Sequence, residues 1–172
     1  MVAFGVTLSS EEHPPVELVA NARKAEEAGF DFVSISDHFH PWVTAQGHSP
    51  FVWGVLGAIA TATERIEVAV VHEIWPNGGV AGQLSQDLPT FTHFDQAAEM
   101  VTEEDATASV PCGADVEPIL DSVRAFLDAG YDHLYFHQIG PDQDRFLRFW
   151  TEELQPALQD VAGSGRAEGG RR

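Results

Sequence analysis

The chain has little positive charge. Its 172 residues hold 9 Lys or Arg against 27 Asp or Glu, a formal net charge of −18, and Lys24 is the one lysine. Binding to a phosphate backbone needs clustered basic side chains, so nucleic acid is excluded as a partner, and an anionic membrane surface with it. Cysteine is almost absent. Cys112 stands alone, which excludes an internal disulfide and the paired spacing of a zinc ribbon. No run approaches the ~20 apolar residues of a membrane span. Residues 1–5, Met-Val-Ala-Phe-Gly, show no basic segment ahead of an apolar stretch, so no secretory leader is expected. The expectation is a soluble cytoplasmic protein with no membrane partner.

What is present suits a globular domain: 44% of the residues are hydrophobic, and the length suffices for one core. Residues 28–42 organise the rest. Gly29 can close a helix in the left-handed conformation. Residues 32–36, Phe-Val-Ser-Ile-Ser, form a short run suited to a strand buried on both faces. Asp37, His38, His40 and Trp42 then crowd its carboxyl end, the edge at which parallel α/β sheets and barrels bind ligands. The pattern Ala-Gly-aromatic-Asp at 28–31 returns at 129–132 ahead of another alternating stretch. Two such modules fit a repeated helix–turn–strand unit, and equally the ordinary turn chemistry of any parallel α/β fold.

Further elements follow in order. Residues 3–8 read as a first strand, and Pro14-Pro15 opens a helix that runs to Gly29. Ser49-Pro50 starts a second helix with Ser49 as N-cap. Residues 51–61 are apolar almost all round, so that helix is expected to be buried, with Trp53 in the core. Residues 66–71 are a β-branched third strand. The segment 72–89, with Pro76, Asn77, Gly78, Gly79 and Gly82, reads as a long loop. Helices are expected over 91–100, from Thr102, over 115–128 and up to about 158, with a last strand over 133–138. The expected division is one domain over 1–160, made of N-terminal βα units (1–71), a junction loop (72–90) and C-terminal helices with the last strand (91–160), followed by a disordered tail (161–172).

Several motifs together resemble the luciferase-like family of flavin- and deazaflavin-dependent oxidoreductases, in the branch of the coenzyme F420-dependent enzymes related to glucose-6-phosphate dehydrogenase. They are Ser36-Asp37-His38-Phe39-His40-Pro41-Trp42, Gln46-Gly47-His48-Ser49-Pro50-Phe51, Trp75-Pro76-Asn77-Gly78-Gly79, Gln86-Asp87-Leu88-Pro89-Thr90, Val110-Pro111-Cys112-Gly113 and His137-Gln138-Ile139-Gly140-Pro141-Asp142-Gln143. The resemblance implies an α/β fold of the (β/α)8 TIM-barrel type. Such a barrel takes about 250 residues, so the fold expected is a partial barrel missing its central βα units. The catalytic glutamate of the family, and the lysines that hold a sugar phosphate, fall in the missing centre.

By the same resemblance, the function implied is hydride transfer between a deazaflavin and a small organic substrate, with coenzyme F420 as cofactor and FMN as the alternative. His38 is implied as the acid/base or electrostatic group, a role that suits imidazole. Trp42 is implied as the second catalytic residue, an apolar wall that stacks near the ring or the substrate. Asp37, His38, Trp42 and His137 are implied to bind the cofactor. Two other readings stay open. One is a metal-dependent hydrolase using Asp37, His38 and His40, with a further ligand from Asp132, His133 or His137. The other is an inactive relic or assembly module. Because four or five strands cannot close a barrel, a symmetric homodimer that shares one core is also expected.

Overall fold

Alternation along each strand decides which face meets the helices and which lines the site. The computed structural model describes residues 2–38, 41–71, 90–99, 101, 102, 104, 111, 113, 115–159 and 161. Strand β1 (Ala3–Leu8), helix α1 (Pro15–Glu27), β2 (Phe32–Ser36), α2 (Val52–Ala62) and β3 (Glu67–Val71) follow in turn. Helices α3 (Phe91–Ala98) and α4 (Val116–Asp128) lead to β4 (His133–His137) and α5 (Gln143–Phe149), which continues as a π-helical turn, Trp150–Leu154. The junction 72–89, His40, Cys112 and most of the expected tail lie outside the described residues.

The sheet has four strands in the order β3-β2-β1-β4, and every pairing is parallel. The last strand in the chain therefore lies beside the first. In a (β/α)8 barrel the final strand closes on the first in this way, and here the helices pack on one face of the sheet, as they do on an arc made of the first three strands and the last of such a barrel.

Val6 and Leu8, Val33 and Ile35, and the partly buried Leu134 and Phe136 pack into one core with Leu18, Ala22, Ala25, Val52 and Ile59 of the helices. Successive side chains point to opposite faces. The pairings Gly5↔Phe32, Thr7↔Ser34 and Thr7↔His137 thus place those residues on the other, inner face.

Trp150 is the centre of the helical layer, a role that no expectation above assigns to it. It is fully buried, stacks on Phe30 at 4.0 Å between ring centroids, and its indole N–H donates to the carbonyl of Ala28 at 3.1 Å. It thereby ties the last helix to the turn before β2. That turn and its later counterpart share one geometry: Gly29 and Gly130 have φ of 84° and 93°, and the next residue donates five positions back, Phe30 to Ala25 and Tyr131 to Phe126. Their surroundings differ, since Phe30 is sealed and Tyr131 is exposed.

Two expectations about α2 are corrected. The helix starts at Val52 with Phe51 in the N-cap position and no side-chain cap. The Ser49 hydroxyl instead donates to the backbone carbonyl of His38 at 2.5 Å. Nor is the helix buried all round: Val52, Val55 and Ile59 make its buried stripe, and Trp53 is 60% exposed. The cause is neighbourhood. Helix α2 packs on α1 and shares the core with Val33 and Ile35 of β2, so its outward face meets solvent despite its composition.

Candidate functional site

The inner face of the sheet is built in layers that become more polar toward the carboxyl ends of the strands. Lowest is Phe32, whose ring lies across β1 at Gly5. A Cβ placed on Gly5 would stand 2.3 Å from Phe32 Cε2, so only glycine leaves room for the ring. Above it, Thr7 Oγ1 and Ser34 Oγ pair at 2.7 Å, fully buried.

The third layer lies where β1 and β2 end. Ser10 N–H donates to Ser36 Oγ at 3.0 Å, and Ser10 Oγ donates to the Ser36 carbonyl at 2.7 Å. The Ser36 hydroxyl in turn donates to Glu11 Oε2 at 2.7 Å, and Ser9 Oγ donates to the same oxygen at 3.1 Å. Glu11 is only 3% exposed. Two serine hydroxyls therefore hold one carboxyl oxygen and fix where the other points.

That other oxygen, Oε1, faces His38 Nε2 at 3.1 Å, yet it is buried and accepts no hydrogen bond of regular geometry. Trp42 completes the cluster. Its indole N–H lies 3.4 Å from the same His38 nitrogen, and the two rings meet edge to face with centroids 5.2 Å apart. His38 Nε2 therefore stands between a donor and an acceptor. The nitrogen accepts from Trp42, and the Glu11 carboxylate 3.1 Å away attracts the ring when it carries a proton.

Loop 41–50 is fastened around the cluster. Gln46 Oε1 accepts from the backbone of Trp42 at 2.8 Å and of Val43 at 3.3 Å. His48 N–H donates to the Glu11 carbonyl at 3.0 Å. Asp95, on α3, accepts from both the backbone N–H and the hydroxyl of Thr44. The turn after β1 is also tied to the turn after β4, where Gly140 N–H donates to Glu12 Oε2 at 3.1 Å.

Of the residues singled out from the sequence, His38 and Trp42 come together at this edge. Asp37 follows β2 directly and is half-buried. His137 ends β4 opposite Thr7 in register and shares the inner face. Asp132 and His133 do not join them. They lie at the amino end of β4 and pair with each other at 2.8 Å, and this hydrogen bond, with the attraction of the imidazole, holds the Asp132 carboxyl below the usual aspartate range. A metal set that joined them to Asp37 and His38 would have to span the length of the sheet. Among the described residues no group of three His, Cys, Asp or Glu is placed to hold an ion.

Sequence reasoning missed Glu11. An acid in a loop after a strand reads as solvated, and the one available signal was its place in Ser9-Ser10-Glu11, three polar residues directly after a strand.

Residues 1–73 match the sequence pattern of the luciferase-like monooxygenase family. The chain is 46% identical over 66 residues to an F420-dependent glucose-6-phosphate dehydrogenase of Intrasporangium calvum, an alignment over 38% of this chain and 20% of that protein. It is 45% identical over 62 residues to an F420-dependent hydroxymycolic acid dehydrogenase of Mycobacterium tuberculosis, over 36% of this chain and 17% of the relative. Among solved structures, an F420-dependent secondary alcohol dehydrogenase in complex with an F420-acetone adduct aligns with 33% identity and a TM-score of 0.39, covering 40% of this chain and 21% of that one. The matched stretch thus spans about a fifth of the length of the first relative.

Proposed function

We propose that the Glu11–His38–Trp42 cluster is the rim of a hydride-transfer site that takes coenzyme F420 and a small organic substrate. The observation that carries this reading is the buried Glu11 oxygen, which accepts no hydrogen bond and faces His38 at 3.1 Å. An orphaned acceptor beside an imidazole is a place prepared for a proton, and oxidation of an alcohol by hydride loss must also release one. The relatives named above, whose printed activities are F420-dependent dehydrogenations, support the choice of cofactor.

The donor set fits such a group. Trp42 and His38 offer an apolar wall with a polar edge, suited to one face of a flat heteroaromatic ring. Asp37 and His137 stand at the carboxyl ends of β2 and β4, where they would flank it. Bound there, a deazaflavin supplies a carbon that accepts or gives a hydride; the protein supplies position and charge. The His38 ring takes the substrate's hydroxyl proton. Glu11, with one oxygen fixed by Ser9 and Ser36, stabilises the protonated ring through its other oxygen, 3.1 Å from Nε2. Trp42 and the fastened loop 41–50 limit water at that nitrogen.

The test is titration of the chain with oxidised coenzyme F420, followed by its fluorescence, with His38→Ala and Glu11→Gln beside the parent. Saturable binding that is weakened in His38→Ala is the expected result. Absence of saturation with a folded parent chain rejects the cofactor and leaves the non-catalytic reading. Saturation by FMN in place of the deazaflavin corrects the cofactor and keeps the site.

A further inference from the structure

We infer that two copies of this chain close one eight-stranded barrel, β3 of each copy pairing in parallel with β4 of the other. The arc has its two outer strands at β3 and β4, and all four strands run the same way. A half-turn about the barrel axis carries β4 of one arc against β3 of a second copy with directions matched, and the same operation makes the opposite seam. A closed twofold assembly results, with the strand number that a small barrel needs.

The edge of β3 is prepared for such a pairing. Glu67 N–H points inward and donates to the Asp31 carbonyl at 3.1 Å. Backbone groups alternate in direction along a strand, so Val68 presents its N–H outward, and its side chain is 37% exposed. Apolar exposure falls on Val68 of β3 and, in the helix and turn that lead into β4, on Phe126 and Tyr131, each between 37% and 59% exposed. The inner-face charges are complementary. Glu67 of β3 and His133 of β4 are both exposed on the inner face, where a seam between copies would bring acid toward imidazole. Among the described residues no strand pairs with the outer edge of β3 or of β4, and a second copy supplies both edges at once. The pairing also places two Glu11–His38 clusters around one mouth, although it stands independently of the hydride-transfer reading.

Sedimentation equilibrium of the full chain over a range of concentrations tests the pairing. The expected species has twice the 18.7 kDa mass of the chain; a folded species of the monomer mass at every concentration overturns the proposal. Val68→Pro removes the outward donor while the Glu67 and Ala69 groups that face β2 remain, and proline is tolerated on edge strands. It is expected to give a monomer with unchanged far-ultraviolet dichroism, whereas Val68→Thr keeps the dimer. A dimer that survives Val68→Pro overturns the β3 seam. If Val68→Pro does not fold, Glu67→Lys takes its place, with at least a tenfold rise in the dimer Kd expected and an unchanged Kd refuting the seam.

Discussion

Replacing Gly5 by alanine tests the layered floor of the site directly. The new Cβ would stand 2.3, 2.5 and 2.6 Å from Phe32 Cε2, Cδ2 and Cζ. Carbon atoms pack at about 3.5–4.0 Å, so the ring must retreat by more than an ångström. It has little room to do so, because Phe32 is only 9% exposed and its ring lies 6.1 Å from that of His133. Overpacking of this kind costs about 1–3 kcal/mol. Alanine gains back about 0.5–1 kcal/mol over glycine within a strand. The net expectation is a loss of up to about 2.5 kcal/mol, read as a lower urea midpoint with an unchanged slope. A double-mutant cycle isolates the cause. Phe32→Val removes the three ring atoms, so Gly5→Ala in that background should be neutral or stabilising by up to about 1 kcal/mol. If Gly5→Ala stabilises the parent chain, or costs the same in both backgrounds, Phe32 does not rest on β1 and the layered inner face is wrong.

Other consequences follow from the same packing. Glu11→Ala strips the acceptor from Ser9 and Ser36 and should cost about 1–3 kcal/mol in urea unfolding; Glu11→Gln, which keeps an oxygen for the serines, should cost less than half as much, and equal costs would show that shape rather than hydrogen bonding matters. Trp150→Ala empties the aromatic centre and should destabilise by about 3–5 kcal/mol, and a thermal midpoint close to the parent's would remove Trp150 from that role. Glu26 accepts from the backbone N–H groups of Glu64, Arg65 and Ile66, and those bonds hold its carboxyl below the usual glutamate range. Its contribution is therefore complete above a pH of about 4.3 and is lost as the pH falls through the lowered value. Glu26→Gln should flatten the acid limb of stability against pH below that point, and an unchanged limb would refute the linkage.

Strand and helix positions were legible because they depend on local pattern. Residues 3–8 and 32–36 are short apolar runs between turn residues, and they became β1 and β2 with few or no shifted ends. Gly29 and Gly130 announced helix ends because a left-handed residue costs glycine little. The crowding of Asp37, His38 and Trp42 at the end of β2 likewise needed only the sequence and the rule for parallel sheets.

The residues misplaced or left unassigned are those whose environment comes from distant parts of the chain. Trp53 and Trp150 both sit in helical patterns, yet one is 60% exposed and the other fully buried. Hydrophobicity measures a preference for burial, and the supply of neighbours decides the outcome: Trp53 faces out from the flank of the arc, while Trp150 meets Phe30 from across the fold. Glu11 makes the same point for the site. By itself the sequence determined which segments fold and that polar chemistry gathers after β2. Only the tertiary structure could bring Ser36 and His38 onto the Glu11 carboxyl, because parallel pairing joins residues about 25 positions apart whose side chains carry no local sign of one another.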